Sequence, residues 1–151
     1  MADVVVRKVG EERRITVGPA EARFQLTGAD TGGAFAMCEF VAEAGFPGPP
    51  PHIHRAHDET FYILEGELTL TAGDATVRAT PGMCVFVPRG VGHSFSNATN
   101  RPARLLGIFT PAGYERYFEE VAALAGGEML DPAKTYAIMA KYDTEPAQPN
   151  P

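Results

Sequence analysis

The sequence has no tryptophan and only two cysteines among 151 residues. So few cysteines exclude the dense disulfide framework of a small secreted domain. Cys38 and Cys84 both fall in apolar, strand-like segments, so both are expected as small buried hydrophobes without a disulfide. Basic runs are also missing: 13 Lys and Arg stand against 19 Asp and Glu, a net charge of -6. A field of that sign repels nucleic acid and anionic lipid, so neither is an expected partner. Long apolar runs are absent too. The opening MADVVVRKVGEERR offers three consecutive valines before charge resumes, too few for a signal peptide's apolar region. No segment is long enough to span a bilayer. Together these absences predict a cytoplasmic protein with neither leader nor membrane span.

What is present is an ordinary core-forming mixture, 44% hydrophobic and 21% charged, in a chain the size of one domain. Strand signals dominate residues 1–110: short runs of Val, Ile, Phe, Tyr and Thr separated by Gly, Pro and Asp. Strands are expected near Val4–Val9, Arg13–Val17, Ala22–Leu26, Ala34–Glu43, His52–Arg55 and Glu59–Leu64. Five more follow near Glu67–Thr71, Ala75–Ala79, Met83–Val87, Ser94–Asn97 and Ala103–Phe109. The dipeptides Glu65-Gly66 and Gly73-Asp74 read as turns that set Glu59–Ala79 into consecutive hairpins. Many short strands with regular turns predict an all-β sandwich or closed barrel.

Residues 111–151 differ. Tyr114, Tyr117, Phe118, Val121 and Leu124 recur at helical spacing within Pro111–Ala125, and Gly126-Gly127 stops the run. Asp131 caps a second expected helix with Pro132 at its first position. EPAQPNP reads as a loose tail. The helices are expected as an appendage packed on the same domain.

All four histidines lie between positions 52 and 93. His52 and His54 form an H-x-H pair, and alternate side chains of a strand share a face, so both imidazoles can converge. Glu59 follows after a short break at Arg55–Asp58. His93 arrives from another strand behind the loop-like Pro88–Gly92. Three imidazoles with a carboxylate suit Fe, Mn, Ni, Cu or Zn better than Ca or Mg. Scattered polar residues on strand faces are the alternative, but that does not explain a whole histidine complement gathered beside one carboxylate.

Residues 45–97 resemble the two motifs of the cupin family. PHIHRAHDETFYILEG supplies His52, His54, Glu59 and Gly66 in the pattern H-x-H-x(3,4)-E-x6-G. Gly82, Pro88, Gly90, His93 and Asn97 fill every fixed position of G-x5-P-x-G-x2-H-x3-N. Two departures stand out. The opening glycine of the first motif falls at Phe46, between Gly45 and Gly48, and Met83 stands where members often carry an acid. The resemblance implies a jelly-roll β-barrel with one divalent transition metal per chain (Fe, Mn, Ni or Zn) on His52, His54, Glu59 and His93. It also implies open positions for water and substrate, and a homodimer formed through N-terminal strands, for which Val4-Val5-Val6 suits an edge that must be covered.

Glu59 can serve both as ligand and as general base. Phe61 and Ile63 share its strand parity, Phe95 shares that of His93, and Phe40 joins them if Ala36 and Cys38 also face inward. These four are the expected substrate-pocket residues, a reading that coincides with plain core packing. His57 lies outside both motifs and is expected in a turn, facing solvent or behind the ligands, with Asp58 solvated beside it. Pro49-Pro50-Pro51 reads as a stiff entry to the first ligand strand. The Tyr114, Tyr117 and Phe118 stripe reads as helix packing, with a lid over the site as the alternative.

Three functions fit this pattern. The resemblance is greatest to single-domain bacterial cupins compared with quercetin dioxygenases, which implies oxygen-dependent cleavage of an aromatic or enol substrate. The same ligand set could instead support a non-redox isomerase, cyclase or lyase with the metal as Lewis acid. A metal-containing binder of small molecules, without turnover, is the third.

Overall fold

Alternating burial converts the apolar runs into strands with one face inward. The computed structural model describes residues 3–147. It begins with β1 (Arg13–Thr16), β2 (Ala20–Leu26), the short helix α1 (Gly28–Thr31), β3 (Ala36–Ala42), β4 (His52–His54) and β5 (Asp58–Glu65). There follow β6 (Leu68–Ala72), β7 (Ala75–Ala79), β8 (Cys84–Val87), β9 (Gly92–Ser96) and β10 (Ala103–Thr110). Helices α2 (Glu115–Ala125) and α3 (Pro132–Met139) and a final strand, β11 (Thr144–Pro146), complete it.

The strands form two antiparallel sheets, ordered β1-β2-β3-β10-β5-β8 and β11-β4-β9-β6-β7. From β3 onward the chain alternates between them, pausing only at the β6–β7 hairpin, which is the connectivity of a double-sheet jelly roll. The sheets are not hydrogen-bonded into one closed barrel, so the expected barrel is here two apposed sheets. Between them lie Phe24, Phe61, Ile63, Leu68, Leu70, Leu105 and Phe109, all almost completely buried.

Two expected turns behave differently. Gly73-Asp74 joins β6 to β7 as a hairpin, but Glu65-Gly66 carries the chain from the first sheet into the second. Gly66 has φ 75°, and a Cβ there would sit 2.6 Å from the carbonyl oxygen of Pro102, so glycine is required. The valines at 4–9 form no strand: Val4 and Val9 are 90% and 99% exposed, with no sheet neighbour to pair with. Cys38 is buried as expected, but Cys84 is exposed because it lies on the outward face of edge strand β8; both are free.

α2 starts at Glu115, later than the apolar pattern reads, because Gly113 at φ 128° turns the chain. The Glu115 carboxylate accepts hydrogen bonds from Gly28 N (2.8 Å) and Gly113 N (2.7 Å), tying the start of the helix to α1. Gly126 ends it in the left-handed conformation. Asp131 caps α3 by accepting from Lys134 N at 3.0 Å, with Pro132 in the first turn, as its sequence implies. The C-terminal segment is not wholly a tail. Glu145 and Pro146 pair with β4, while residues 148–151 lie outside the described residues. None of the described helices is long and apolar enough to cross a membrane.

Candidate metal centre

His52 and His54 occupy alternate inward positions of β4, and His93 on β9 lies directly across the ladder from His52. Glu59 comes from β5 in the other sheet. One donor atom from each of the four lies within 4.8 Å of all the others, and all four side chains are buried. Ring centroids are 4.7 Å apart for His52 and His54, and 4.5 Å for His52 and His93. The chain reverses between His54 and Asp58, and Gly90 N holds that reversal by donating to His54 O at 2.7 Å.

Each imidazole is oriented through its Nδ1. His52 Nδ1 lies 2.9 Å from Pro50 O, and His93 Nδ1 lies 3.1 Å from Val91 O. A carbonyl only accepts, so both Nδ1 atoms carry a proton, and in the neutral ring each Nε2 keeps the lone pair that a metal needs. His54 Nδ1 lies 2.8 Å from the Thr144 hydroxyl. The Nε2 atoms of His54 and His93 approach Glu59 Oε2 at 3.2 and 2.9 Å. Three imidazoles converging with a buried carboxylate fit a divalent transition ion, and these four residues could hold one.

The electrostatics divide the cluster. Burial pushes the His52 pKa down to about 3, helped by the neighbouring imidazoles. Burial also acts on His93, but its hydrogen bond to Glu59 and that residue's charge outweigh it and raise the pKa. Glu59 is held below the usual carboxylate range: burial opposes ionisation, yet hydrogen bonds from His54 and His93 overcome it. The negative charge therefore persists in a dry site, where attraction for a cation is strongest.

A small cavity of about 70 Å³ opens beside these groups. Phe40, Phe46, Phe61, Phe95 and Phe109 line it with His52, His54 and Glu59, and Tyr114, Tyr117, Phe118 and Val121 roof it. Of the expected pocket residues, Phe40, Phe61 and Phe95 reach this space; Ile63 is fully buried in the core and does not line it. The aromatic stripe of α2 and its preceding turn both packs on the sheets and covers the cavity.

His57 does not face solvent. It is 4% exposed, its ring lies 4.0 Å from that of His54 and 4.6 Å from that of Tyr114, and burial pushes its pKa down to about 3. Its Nε2 and the Tyr114 hydroxyl are the buried side-chain atoms without a hydrogen-bond partner among the described residues. Burial also raises the Tyr114 pKa, with Tyr117 and Glu59 adding to it and nearby Thr144 opposing. Asp58 is not merely solvated: Arg89 Nε and Nη2 each donate to it at 3.1 Å.

The prolines act through their carbonyls. Pro49 O accepts from the Ser94 hydroxyl (2.7 Å), Pro50 O from His52, and Pro51 O from the Tyr136 hydroxyl (2.8 Å). The displaced glycine of the first motif is explained by Gly48, whose φ is 83° and whose Cβ would fall 1.9 Å from Phe95 O. Asn97 is structural: its Nδ2 donates to Ala42 O and Arg101 O at 3.0 and 2.7 Å, closing the loop after β9. Thr144 was invisible to motif reading because it lies 90 residues from its partner, His54.

Residues 39–109 match the family model described as the cupin domain. Quercetin 2,3-dioxygenase of Aspergillus japonicus is 32% identical over 120 residues, covering 76% of this chain and 34% of that protein. Quercetin 2,3-dioxygenase of Bacillus subtilis (strain 168) is 29% identical over 115 residues, covering 75% of this chain and 33% of that protein. This chain thus spans about a third of the length of the curated relatives it matches. Among solved structures, one described as a predicted oxalate decarboxylase from Thermotoga maritima superposes with a TM-score of 0.64. It is 21% identical, with 71% of this chain and 99% of that chain covered, which speaks for the fold alone.

Proposed function

We propose that this chain, whose residues 39–109 match the cupin domain, is a metal-dependent oxygenase acting on an uncharged aromatic or enol substrate. The observation that carries this reading is the cavity lining: phenylalanine and tyrosine rings surround one corner of imidazole and carboxylate, and among the described residues no Lys or Arg faces the space. Oxalate or a phosphorylated sugar carries more negative charge than one divalent ion beside Glu59 offsets, and among the described residues no cationic side chain lines this cavity. The likeness to two proteins named quercetin 2,3-dioxygenase supports the same class.

In this reading His52, His54, Glu59 and His93 hold one divalent transition metal per chain. When bound, the metal supplies Lewis acidity and, if redox-active, electrons for reaction with dioxygen. Glu59 is the carboxylate in reach of an enol or phenol hydroxyl that enters the site, and it takes that proton once it detaches from the ligand cluster whose contacts hold its pKa down. Phe40, Phe61 and Phe95 sandwich the ring, and the unpaired Tyr114 hydroxyl donates to a substrate oxygen. Dioxygen is the oxidant, and both its atoms enter the product as a C–C bond breaks. The cavity is well below the roughly 300–1,000 Å³ of common ligand pockets, so a fused ring system enters only when α2 and α3 shift outward. The sheets and the roof of residues 111–147 act as one unit in this account. The proposal extends to a cytoplasmic homodimer in which the exposed valines 4–6 are covered by a second copy, with a dimeric mass by light scattering as its check.

The test is oxygen uptake by protein loaded separately with Fe, Mn, Ni and Zn and given quercetin, 3-hydroxyflavone, catechol or acetylacetone. Uptake with matching loss of one of these is the expected result, and no turnover of oxalate. Conversion that proceeds equally without oxygen would replace this reading with Lewis-acid isomerase, cyclase or lyase chemistry. Tight binding without conversion would replace it with a binding protein.

A further inference from the structure

His52 and His93 obtain their Nδ1 acceptors locally, from carbonyls two residues back at Pro50 and Val91. His54 obtains its acceptor from the far end of the chain. Thr144 Oγ1 lies 2.8 Å from His54 Nδ1, and the same hydroxyl donates to Tyr142 O at 3.1 Å. A hydroxyl has one proton, and the Tyr142 carbonyl is an acceptor placed to take it, which leaves an oxygen lone pair to face His54 Nδ1. With a metal on Nε2, Nδ1 carries the imidazole proton and Thr144 accepts it, while Nε2 keeps its lone pair for the ion beside Glu59. We infer that β11 completes the metal centre and that Thr144 is the positioning residue that fixes the tautomer and aim of His54. The inference rests on the metal reading above.

The segment is built to hold that hydroxyl in place. β11 pairs with β4 in a register that sets Thr144 beside His54 and Pro146 beside His52. Arg55 N donates to Asp143 O at 2.8 Å, Ala147 N to Pro51 O at 3.0 Å, and Arg55 Nε to the Glu145 carboxylate at 3.0 Å. Asp143 takes φ 51°, a left-handed conformation unusual for a residue with a Cβ, at the turn that delivers Thr144 to the ladder. Thr144 itself is 1% exposed, so water cannot replace its oxygen. Residues 143–147, which supply these contacts to β4 and its flanks, lie beyond the segment 39–109 that matches the cupin domain. The metal centre of this chain is therefore incomplete without its C-terminal strand.

Valine matches threonine in shape and lacks the oxygen. In Thr144→Val the buried His54 N–H either stays unpaired or moves to Nε2 and blocks the lone pair. Co(II) titration followed by visible absorption, with chelator competition, reads the consequence. Thr144→Val should bind Co(II) about 10–100-fold more weakly than the parent, with altered absorption bands. Thr144→Ser, which keeps the hydroxyl, should restore both. Parent-like affinity and bands in folded Thr144→Val would overturn the inference while leaving the metal site intact. A parent that binds no Co(II) would overturn the metal reading and this inference with it. Should Thr144→Val not fold, two-bond proton–nitrogen spectra of the parent decide: a proton on His54 Nδ1 supports the role, and a bare Nδ1 rejects it.

Discussion

The first sheet faces the cavity with Phe40, Phe61, Leu105 and Phe109 and a single charge, Glu59. The second sheet brings His52, His54 and His93 to that charge from the opposite side. At the site the first wall is apolar apart from Glu59 and stabilises the fold through burial; the second adds three imidazoles, each with its Nδ1 beside an oxygen, to the apolar Leu68, Leu70 and Phe95. Neither contains the site alone. A metal held by both would bind only when the sheets are packed against each other, so its binding energy becomes folding energy. An ion at 100 times its Kd would add about 2.7 kcal/mol to stability.

Substitutions on the two sides should therefore differ in kind. The largest effect on stability belongs to the apolar wall: Phe61→Ala should lose about 3–5 kcal/mol in denaturant unfolding, while the folded fraction keeps the parent's metal content. Loss of metal without loss of stability would erase the distinction between the sheets. Next is Glu59→Gln, which keeps the shape and removes the charge. As a ligand and base it should lower metal affinity by about 10–100-fold, or about 1.4–2.7 kcal/mol, and also abolish turnover of whichever substrate proves active. Normal metal content with lost turnover would make Glu59 a base alone; normal values of both would leave three histidines to complete the site.

Tyr114→Phe comes third. It removes a buried hydroxyl whose polar neighbour among the described residues, Thr144, makes no well-formed hydrogen bond to it, so thermal stability should change by less than about 1 kcal/mol, while turnover falls. A clear drop in stability would show that the hydroxyl serves the fold instead. The smallest effect belongs to Arg89→Ala. Hydrogen bonds from the Arg89 side chain and backbone hold the Asp58 pKa down to about 2, from an ordinary value of 3.8. A depressed carboxylate stabilises the fold above its unfolded pKa and loses that contribution as pH falls through the folded value. Arg89→Ala should thus unfold slightly more readily at neutral pH, and the difference from the parent should vanish between pH 4 and 2. A difference that persists below pH 2 would assign the effect to lost packing.

Much of this was legible in the sequence because strand alternation and the two motifs are local patterns. The parity of Glu59 with Phe61, and of His93 with Phe95, sets which residues face inward, and the structure buries all four. What escaped depends on contacts between distant segments. β11 is three residues with no apolar alternation, and pairing with β4 alone makes it a strand. Val4–Val9 shows the converse, with high strand propensity and no neighbour to pair with. His57 looked like a turn residue because its immediate neighbours are polar, yet Tyr114 and Phe109, from a distant stretch of chain, cover its ring. Barrel closure is likewise a property of how two sheet edges meet, which no single strand encodes.

The central claim is that one metal joins the two sheets through His52, His54, Glu59 and His93. Elemental analysis of protein purified without added metal, beside the folded His52→Ala/His54→Ala double variant, tests it most directly. The account predicts about one transition-metal ion per parent chain and almost none in the double variant. Full occupancy in the double variant would contradict it.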